Sequence, residues 1–340
     1  MTKQNLCQIL GLVLLIGLAA CKGHSPAEAG NDNPVFQSDP QLKKITDVLI
    51  QSPNDAALYV KRGALLHARR MDSLALKDYV RATTLDSSKS EYFSAVADLM
   101  FEHKDITGAI AWIQKSIKVN PQDHKSHVKI GKLFLYLKDF PNSIKELDVA
   151  LRQDVHDPEA YFLKGLNYKY MKDTNRAMSN FYTALNQQPD YKDALVQLGL
   201  IYSVKKDSLA LRFLDNAYAA DSTDVFPLYA RGVFFQNNHE LERAKQEFRR
   251  CVLRNSHFVD AYFNTGYILL RQDSLQKALR QYDIATKIDY ANPTAFYNRG
   301  FCYEALDSMP QAVADYKRAL AMDTSYKSPK EALVRLKVKI

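Results

Sequence analysis

The stretch Tyr161-Phe162-Leu163-Lys164-Gly165-Leu166-Asn167-Tyr168, followed by Ala177, Phe181, Ala184 and Pro189, decides the fold of this 340-residue chain. Its pattern recurs. Seven glycines stand at Gly63, Gly131, Gly165, Gly199, Gly232, Gly266 and Gly300, separated by 68, 34, 34, 33, 34 and 34 residues. The gap of 68 is two periods, with Ala97 in the missing place. Beyond Gly30 the only other glycine is Gly108, so this spacing is not scatter. Small residues follow twelve positions on, eleven in one case: Ala75, Ala109, Ser143, Ala177, Ala210, Ala244, Ala278 and Ala312. A third series lies seven further: Ala82, Ser116, Ala150, Ala184, Ala217, Cys251, Ala285 and Ala319. Large apolar residues stand between the two: Tyr79, Ile113, Leu147, Phe181, Leu214, Phe248, Tyr282 and Tyr316. Self-similarity at a fixed period marks a repeat architecture.

A 34-residue unit with these small and large positions resembles the tetratricopeptide repeat (TPR), and the resemblance runs through eight units over residues 56–324. It implies an all-α, right-handed α-solenoid of about eight helix-turn-helix units with terminal capping helices. Packing accounts for the pattern. The glycine at the eighth position and the small residue at the twentieth are expected where helices A and B of one unit meet. The later small residue then faces the next A helix, and the large residues fill gaps between pairs. A single unit cannot bury its own apolar face, so stability comes from its neighbours.

The connections fit helices. Asp72-Ser73, Asp207-Ser208, Asp273-Ser274 and Asp307-Ser308 precede B helices and suit N-caps. Pro141 and Pro310 fall in first turns, where proline is tolerated. Asp39-Pro40 opens an N-terminal capping helix over 40–52 with the apolar stripe Leu42, Ile45, Val48 and Leu49. Ser328-Pro329-Lys330-Glu331 resembles a capping box and opens a C-terminal capping helix over 327–340.

Residues 1–20 read as an address. Lys3 gives a positive start, and Ile9 to Ala20 is an apolar run of 12 residues. A bilayer helix needs about 20, whereas a signal peptide needs fewer. Leu18-Ala19-Ala20-Cys21 resembles the bacterial lipobox, which implies cleavage before Cys21 and acylation of that residue. Residues 21–39 then form a lipidated, flexible tether. By the same resemblance, Lys22 after the cysteine implies an outer-membrane anchor with a periplasm-facing domain.

Composition narrows the chemistry. Hydrophobic residues make up 46% of the chain, which excludes wholesale disorder. A mean hydropathy of -0.32 excludes a polytopic membrane protein. Net charge is +8, but the charges are interspersed, with no basic run dense enough to follow a nucleic acid. None of the eight histidines has zinc-protease spacing, and His124 and His127 alone share a helix face. There is no phosphate-binding glycine loop and no nucleophile elbow. Cys251 and Cys302 read as small core residues, and Trp112 as packing on a B helix. The expectation is a protein that is not an enzyme and carries no cofactor or metal.

By family resemblance, the fifth, sixth and ninth positions of the A helices line a concave groove. The residues that clamp a chaperone C-terminus in some TPR proteins are missing: Val60 and Ala64 stand there in the first unit. Later units place Phe162, Tyr229, Phe263, Tyr267, Tyr297 and Phe301 on that face, with Asn264 and Asn298 at the sixth position. Aromatic anchors and amides able to both donate and accept suit a helix or extended segment of a partner. The alternative is that these rings bury one another against adjacent A helices. Lys125, Lys129 and Lys132 form a secondary basic contact for an acidic partner, or a solvated face. The function implied is a non-catalytic envelope adaptor, membrane-anchored at Cys21, that binds protein or peptide partners. The alternatives are an assembly or pilotin subunit of a secretion or pilus machine, and a glycan-uptake lipoprotein.

Overall fold

The computed structural model describes residues 33–338. The signal segment 1–20, the acylation site Cys21 and the tether as far as residue 32 lie outside the described residues. The chain divides into two compact units, Met1–Ser126 and His127–Ile340. Nineteen helices and no strand make up the described part.

The first unit holds α1 (Pro34–Ser38), α2 (Pro40–Gln51), and the pairs α3 (Ala56–Ala68) with α4 (Asp72–Leu85) and α5 (Ser90–Glu102) with α6 (Ile106–Val119). Helix α7 (His124–Tyr136) begins the third pair, completed by α8 (Phe140–Gln153). The second unit continues with α9 (Pro158–Tyr170), α10 (Thr174–Gln187), α11 (Lys192–Val204) and α12 (Leu209–Ala220). There follow α13 (Phe226–Asn237), α14 (Leu241–Arg254), α15 (Val259–Arg271), α16 (Leu275–Ile288), α17 (Pro293–Ala305) and α18 (Met309–Met322), closed by α19 (Lys327–Arg335). Eight A–B pairs with a helix at either end are thus present, as the repeat implied.

The glycines sit where a methyl group has no room. A Cβ on Gly165 would stand 2.5 Å from the Phe181 ring, and one on Gly232 would stand 2.4 Å from Phe248. The expected partner was the small residue at the twentieth position. Its backbone is near, with Ala75 O 3.3 Å from a Cβ on Gly63, but the closest atoms belong to the large residue at the twenty-fourth. That residue therefore fills the space within a pair. The third small series behaves as expected in the first unit. Buried Ser116 Oγ donates to Ser90 O at 2.8 Å and lies 3.0 Å from Ser126 Oγ on α7.

Each A helix ends in the same hydrogen-bonded turn. In unit four, Lys172 N donates to Lys169 O at 3.0 Å and Asp173 N to Tyr168 O at 2.8 Å. This is the Schellman arrangement, which requires a left-handed residue at its centre. The eight central residues are Arg70, Lys104, Lys138, Lys172, Lys206, His239, Asp273 and Asp307, with φ between 54° and 63°. None is glycine. Asp273 and Asp307 were expected to be N-caps, yet they occupy this left-handed place. Ser274 and Ser308 follow at the N-cap without a side-chain cap hydrogen bond. Caps form instead at Asp105, Asp139 and Asp173, whose carboxylates accept from Gly108 N, Asn142 N and Arg176 N. The B-to-A turns use an Asx turn: Asp86, Asn120, Asp154, Asp221, Asn255, Asp289 and Asp323 each accept the N–H two residues on.

Two expectations about the ends change. The tether expected over 21–39 gives way to structure sooner, since Asn33 caps α1 and Phe36 is buried. The lone ring in a polar stretch finds the apolar cluster of Leu42, Leu66 and Val96. At the other end the capping box is not made. Helix α19 starts at Lys327, with Tyr326 as N-cap, so Ser328 lies inside the helix. Asp39 does cap α2, accepting from Gln41 N and Leu42 N at 2.9 and 3.0 Å.

A buried guanidinium, which the periodicity did not single out, ties helices together at the seventh position. Arg62 gives two bonds to Asp78, at 2.7 and 2.8 Å, and one to Thr46 on α2 at 3.3 Å. Phe36 covers it, with the guanidinium carbon 4.4 Å from the ring centre. Arg299 repeats the device. It reaches Asp315 at 2.8 Å, and Asp283 and Thr286 on α16 at 3.1 and 2.7 Å.

Candidate partner-binding surface

The A helices of the second unit divide the sequence-predicted aromatics into two kinds. Rings at the fifth position turn onto their own unit. Phe162 is only 9% exposed and lies 5.8 Å from Phe181 and 5.4 Å from Tyr191, ring centre to ring centre. Tyr229 packs on Phe248 at 5.8 Å and on Phe258 at 5.3 Å. Phe263 meets Tyr282 at 5.6 Å, and Tyr297 meets Tyr316 and Tyr326 at 5.6 and 5.5 Å. The fifth-position rings are therefore largely packing. The ninth position differs: Tyr267 is 40% exposed and Phe301 is 42% exposed. Their spare apolar area is what a partner can cover.

The two asparagines have their donors engaged. Asn264 Nδ2 donates to the Tyr229 hydroxyl at 3.0 Å, joining α15 to α13. Asn298 Nδ2 donates to Thr294 O of its own helix at 2.9 Å. Burial raises the Tyr229 phenol, so it stays a neutral acceptor for that amide at neutral pH.

Lys125, Lys129 and Lys132 all lie on α7. Lys125 and Lys132 are exposed and Lys129 is half-buried. Lys132 Nζ stands 3.5 Å from Glu159 of α9. This ion pair rims a recess of about 490 Å³ whose walls include Phe162, Leu166, Tyr170 and Tyr191. The structure thus brings Lys132 and Phe162 to one place, a half-apolar recess flanked by opposite charges. His127, beside the lysines, is buried with its Nδ1 2.7 Å from Glu146. Trp112 packs across its pair on Phe93 at 6.0 Å, with Lys115 over its face. Cys251 and Cys302 are both buried, which pushes each thiol up to about 12 and holds it in its unreactive form.

Sequence reasoning missed the row of cations at the A–B turns. The signal was available: Arg70, Lys104, Lys138, Lys172 and Lys206 recur at intervals of 34. It also missed exposed Tyr136 and Tyr170 at the ends of α7 and α9.

Comparison with known proteins agrees with this architecture. Residues 229–289 and 275–327 match the sequence model described as Tetratricopeptide repeat, and 93–203 match one described as TT21 fifth ARM repeats domain. A tetratricopeptide repeat protein from Parabacteroides merdae superposes with a TM-score of 0.54 at 15% identity, covering 73% of this chain and 98% of that one. PilW, a widely conserved type IV pilus biogenesis factor, also gives 0.54 at 15% identity, covering 62% of this chain and 98% of its own. Hsp70-Hsp90 organizing protein 2 of Arabidopsis thaliana is 27% identical over 88 residues, which is 26% of this chain and 15% of that protein's length. Proteins of this repeat are generally non-catalytic. The eight helix pairs, the glycines pressed on the large residue of their pair and these likenesses give the chain an all-α tetratricopeptide-repeat architecture, the type of a protein-interaction scaffold, with the repeat's own sequence model matched over residues 229–327.

Proposed function

We propose that this chain is a non-catalytic adaptor of the bacterial envelope. Cys21 carries the lipid anchor, and the A helices of the second unit take protein or peptide partners. The observation that supports this most is the exposure of Tyr267 and Phe301 while the fifth-position rings are packed away. The recess beside Lys132 and Glu159 is the second contact on the same face of the repeat. An extended or helical segment with apolar side chains fits both. The anchor is tested by Cys21→Ser, which should move the protein from the membrane fraction to the soluble periplasm. Persistent membrane fractionation would count against the lipobox.

The partner surface is tested by crosslinking in intact cells with the native chain and with Tyr267→Ala/Phe301→Ala. Both side chains are half in solvent, so the variant should melt like the native protein. A partner captured by the native chain and lost with the variant supports the reading. Identical capture by both puts the partner elsewhere. A second reading is an assembly or pilotin subunit of a pilus or secretion machine, for which the fold shared with PilW is the supporting likeness. A deletion strain that assembles pili and secretes normally would remove it.

A further inference from the structure

We infer that the first unit carries a binding site for a single-chain fatty carboxylate, in a recess lined by α1, α3 and α4. The recess holds about 460 Å³, within the range of small-molecule pockets, about 300–1,000 Å³. Its apolar walls are the buried rings of Phe36 and Tyr59 and the half-buried side chains of Leu74, Leu76 and Val80. It shares no residue with the A-helix surface proposed for protein partners, nor with the recess beside Lys132.

Two cations border this recess without a partner. Lys77 and Arg81 stand one turn apart on α4, and both line it. Neither side chain makes an ion pair, hydrogen bond or ring contact among the described residues. Arg81 Nε is shielded from solvent and bonded to nothing. The same repeat position is engaged in the sixth and eighth pairs: Arg250 pairs with Glu247 at 2.9 Å, and Arg318 lies 4.3 Å over Phe296. In the first pair the ring in the place of Phe296 is Tyr59, and it faces Arg62 instead, at 5.5 Å. A polar nitrogen kept from water and left unpaired is costly, so an anion from outside the fold is the missing partner. The remaining charges in the walls hold each other. Arg62 takes both carboxylate oxygens of Asp78, at 2.7 and 2.8 Å, so that pair is neutral as a unit.

The walls favour a fatty chain over a protein segment. A peptide brings a main-chain N–H at nearly every residue, and each needs an acceptor once it leaves water. Asp78, the one carboxylate among the lining residues, has both oxygens engaged. An acyl chain brings no donor. Its methylenes lie against Leu74, Leu76, Val80 and the two rings, and its carboxylate meets Arg81 Nε and the Lys77 ammonium.

Calorimetric titration of the full-length protein with dodecanoate tests this, in the Cys21→Ser form so that no acyl chain of its own competes. Dodecanoate should bind at least tenfold tighter than dodecanol. Each methylene removed from the chain should weaken binding about fourfold. Lys77→Gln/Arg81→Gln should lose the preference for the carboxylate and keep the affinity for dodecanol. Neither side chain has a partner to lose, so this variant should melt like its parent. A diazirine on the chain end of dodecanoate should label Phe36 or residues 74–84. Absence of binding, equal binding of dodecanoate and dodecanol, an undiminished preference in the glutamine variant, or labelling confined to other residues would each overturn the inference. So would an acidic peptide that displaces dodecanoate at a lower concentration than dodecanoate itself needs, which would give the recess to a protein. No protein partner enters the titration of the fatty acids, so its failure leaves the adaptor reading standing.

Discussion

One methyl group is enough to test how the helices of a pair are pressed together. Gly165→Ala should gain about 1 kcal/mol of helix propensity. The new Cβ would stand 2.5 Å from Phe181, whose ring is fully buried and hemmed in. Overpacking of this kind costs about 1–3 kcal/mol, so the clash wins and the urea midpoint should fall. The loss should shrink in a Phe181→Leu background, which a double-mutant cycle reads directly. The opposite sign is expected at Lys172. Relief of its left-handed backbone is worth about 1–2 kcal/mol. The freedom glycine adds to the unfolded chain costs about 0.4–1. Lys172→Gly should therefore raise the melting temperature. The glycines were legible because no other residue fits their space. The left-handed sites were not, because lysine carries no mark of that conformation; only the turn hydrogen bonds reveal it.

Helix ends follow rules that a dipeptide does not fully encode. Asp173→Ala should lower the urea midpoint, because its carboxylate holds Arg176 N at 2.9 Å. Ser274→Ala should change little, since that hydroxyl makes no cap bond. Urea melts of both variants decide between this and the Asp-Ser reading. That reading failed because the same two residues fit two registers, and the Schellman turn places the aspartate one step too early to cap. The turn at Asp221 makes a pH prediction. The Thr223 hydroxyl, the Lys192 ammonium and the Thr223 N–H hold its carboxyl down at about 2, against an ordinary 3.8. A lowered folded value means stability that is present above the ordinary value and lost as pH falls toward 2. The stability difference between native and Asp221→Asn should thus be level at pH 5 and shrink below pH 4. An unchanged difference down to pH 2 would show that these contacts do not favour the ionised form.

At the scale of the whole array, the repeat is modular. Removing residues 158–191 deletes one full period and leaves Gly131 and Gly199 in equivalent frames. Such a chain should keep its helical signal per residue and a cooperative melt by circular dichroism, because units contact only their neighbours. Removing half a period should not. The number of units was legible from the 34-residue spacing, and the helices at both ends from Asp39-Pro40 with its apolar stripe and from the stretch after residue 327. The division of the aromatics was not. Fifth and ninth positions share one helix face in a helical projection, and only packing shows that the fifth-position ring is held by the twenty-fourth residue of its unit.

Linear arrays fray from their ends, where the outermost pair has a repeat neighbour on one side only. Arg62, buried, and Arg299, half-buried, stand in the first and last pairs, each bonded both within its pair and to the element before it, and Arg231 makes the same two links in the sixth pair, to Glu247 and to Asp215. Peeling either pair away breaks the link to Thr46, or those to Asp283 and Thr286, while Asp78 or Asp315 stays with its arginine. The outermost pairs are therefore stitched to their neighbours by the same link that recurs inside the array, and unravelling from either end must open that stitch first.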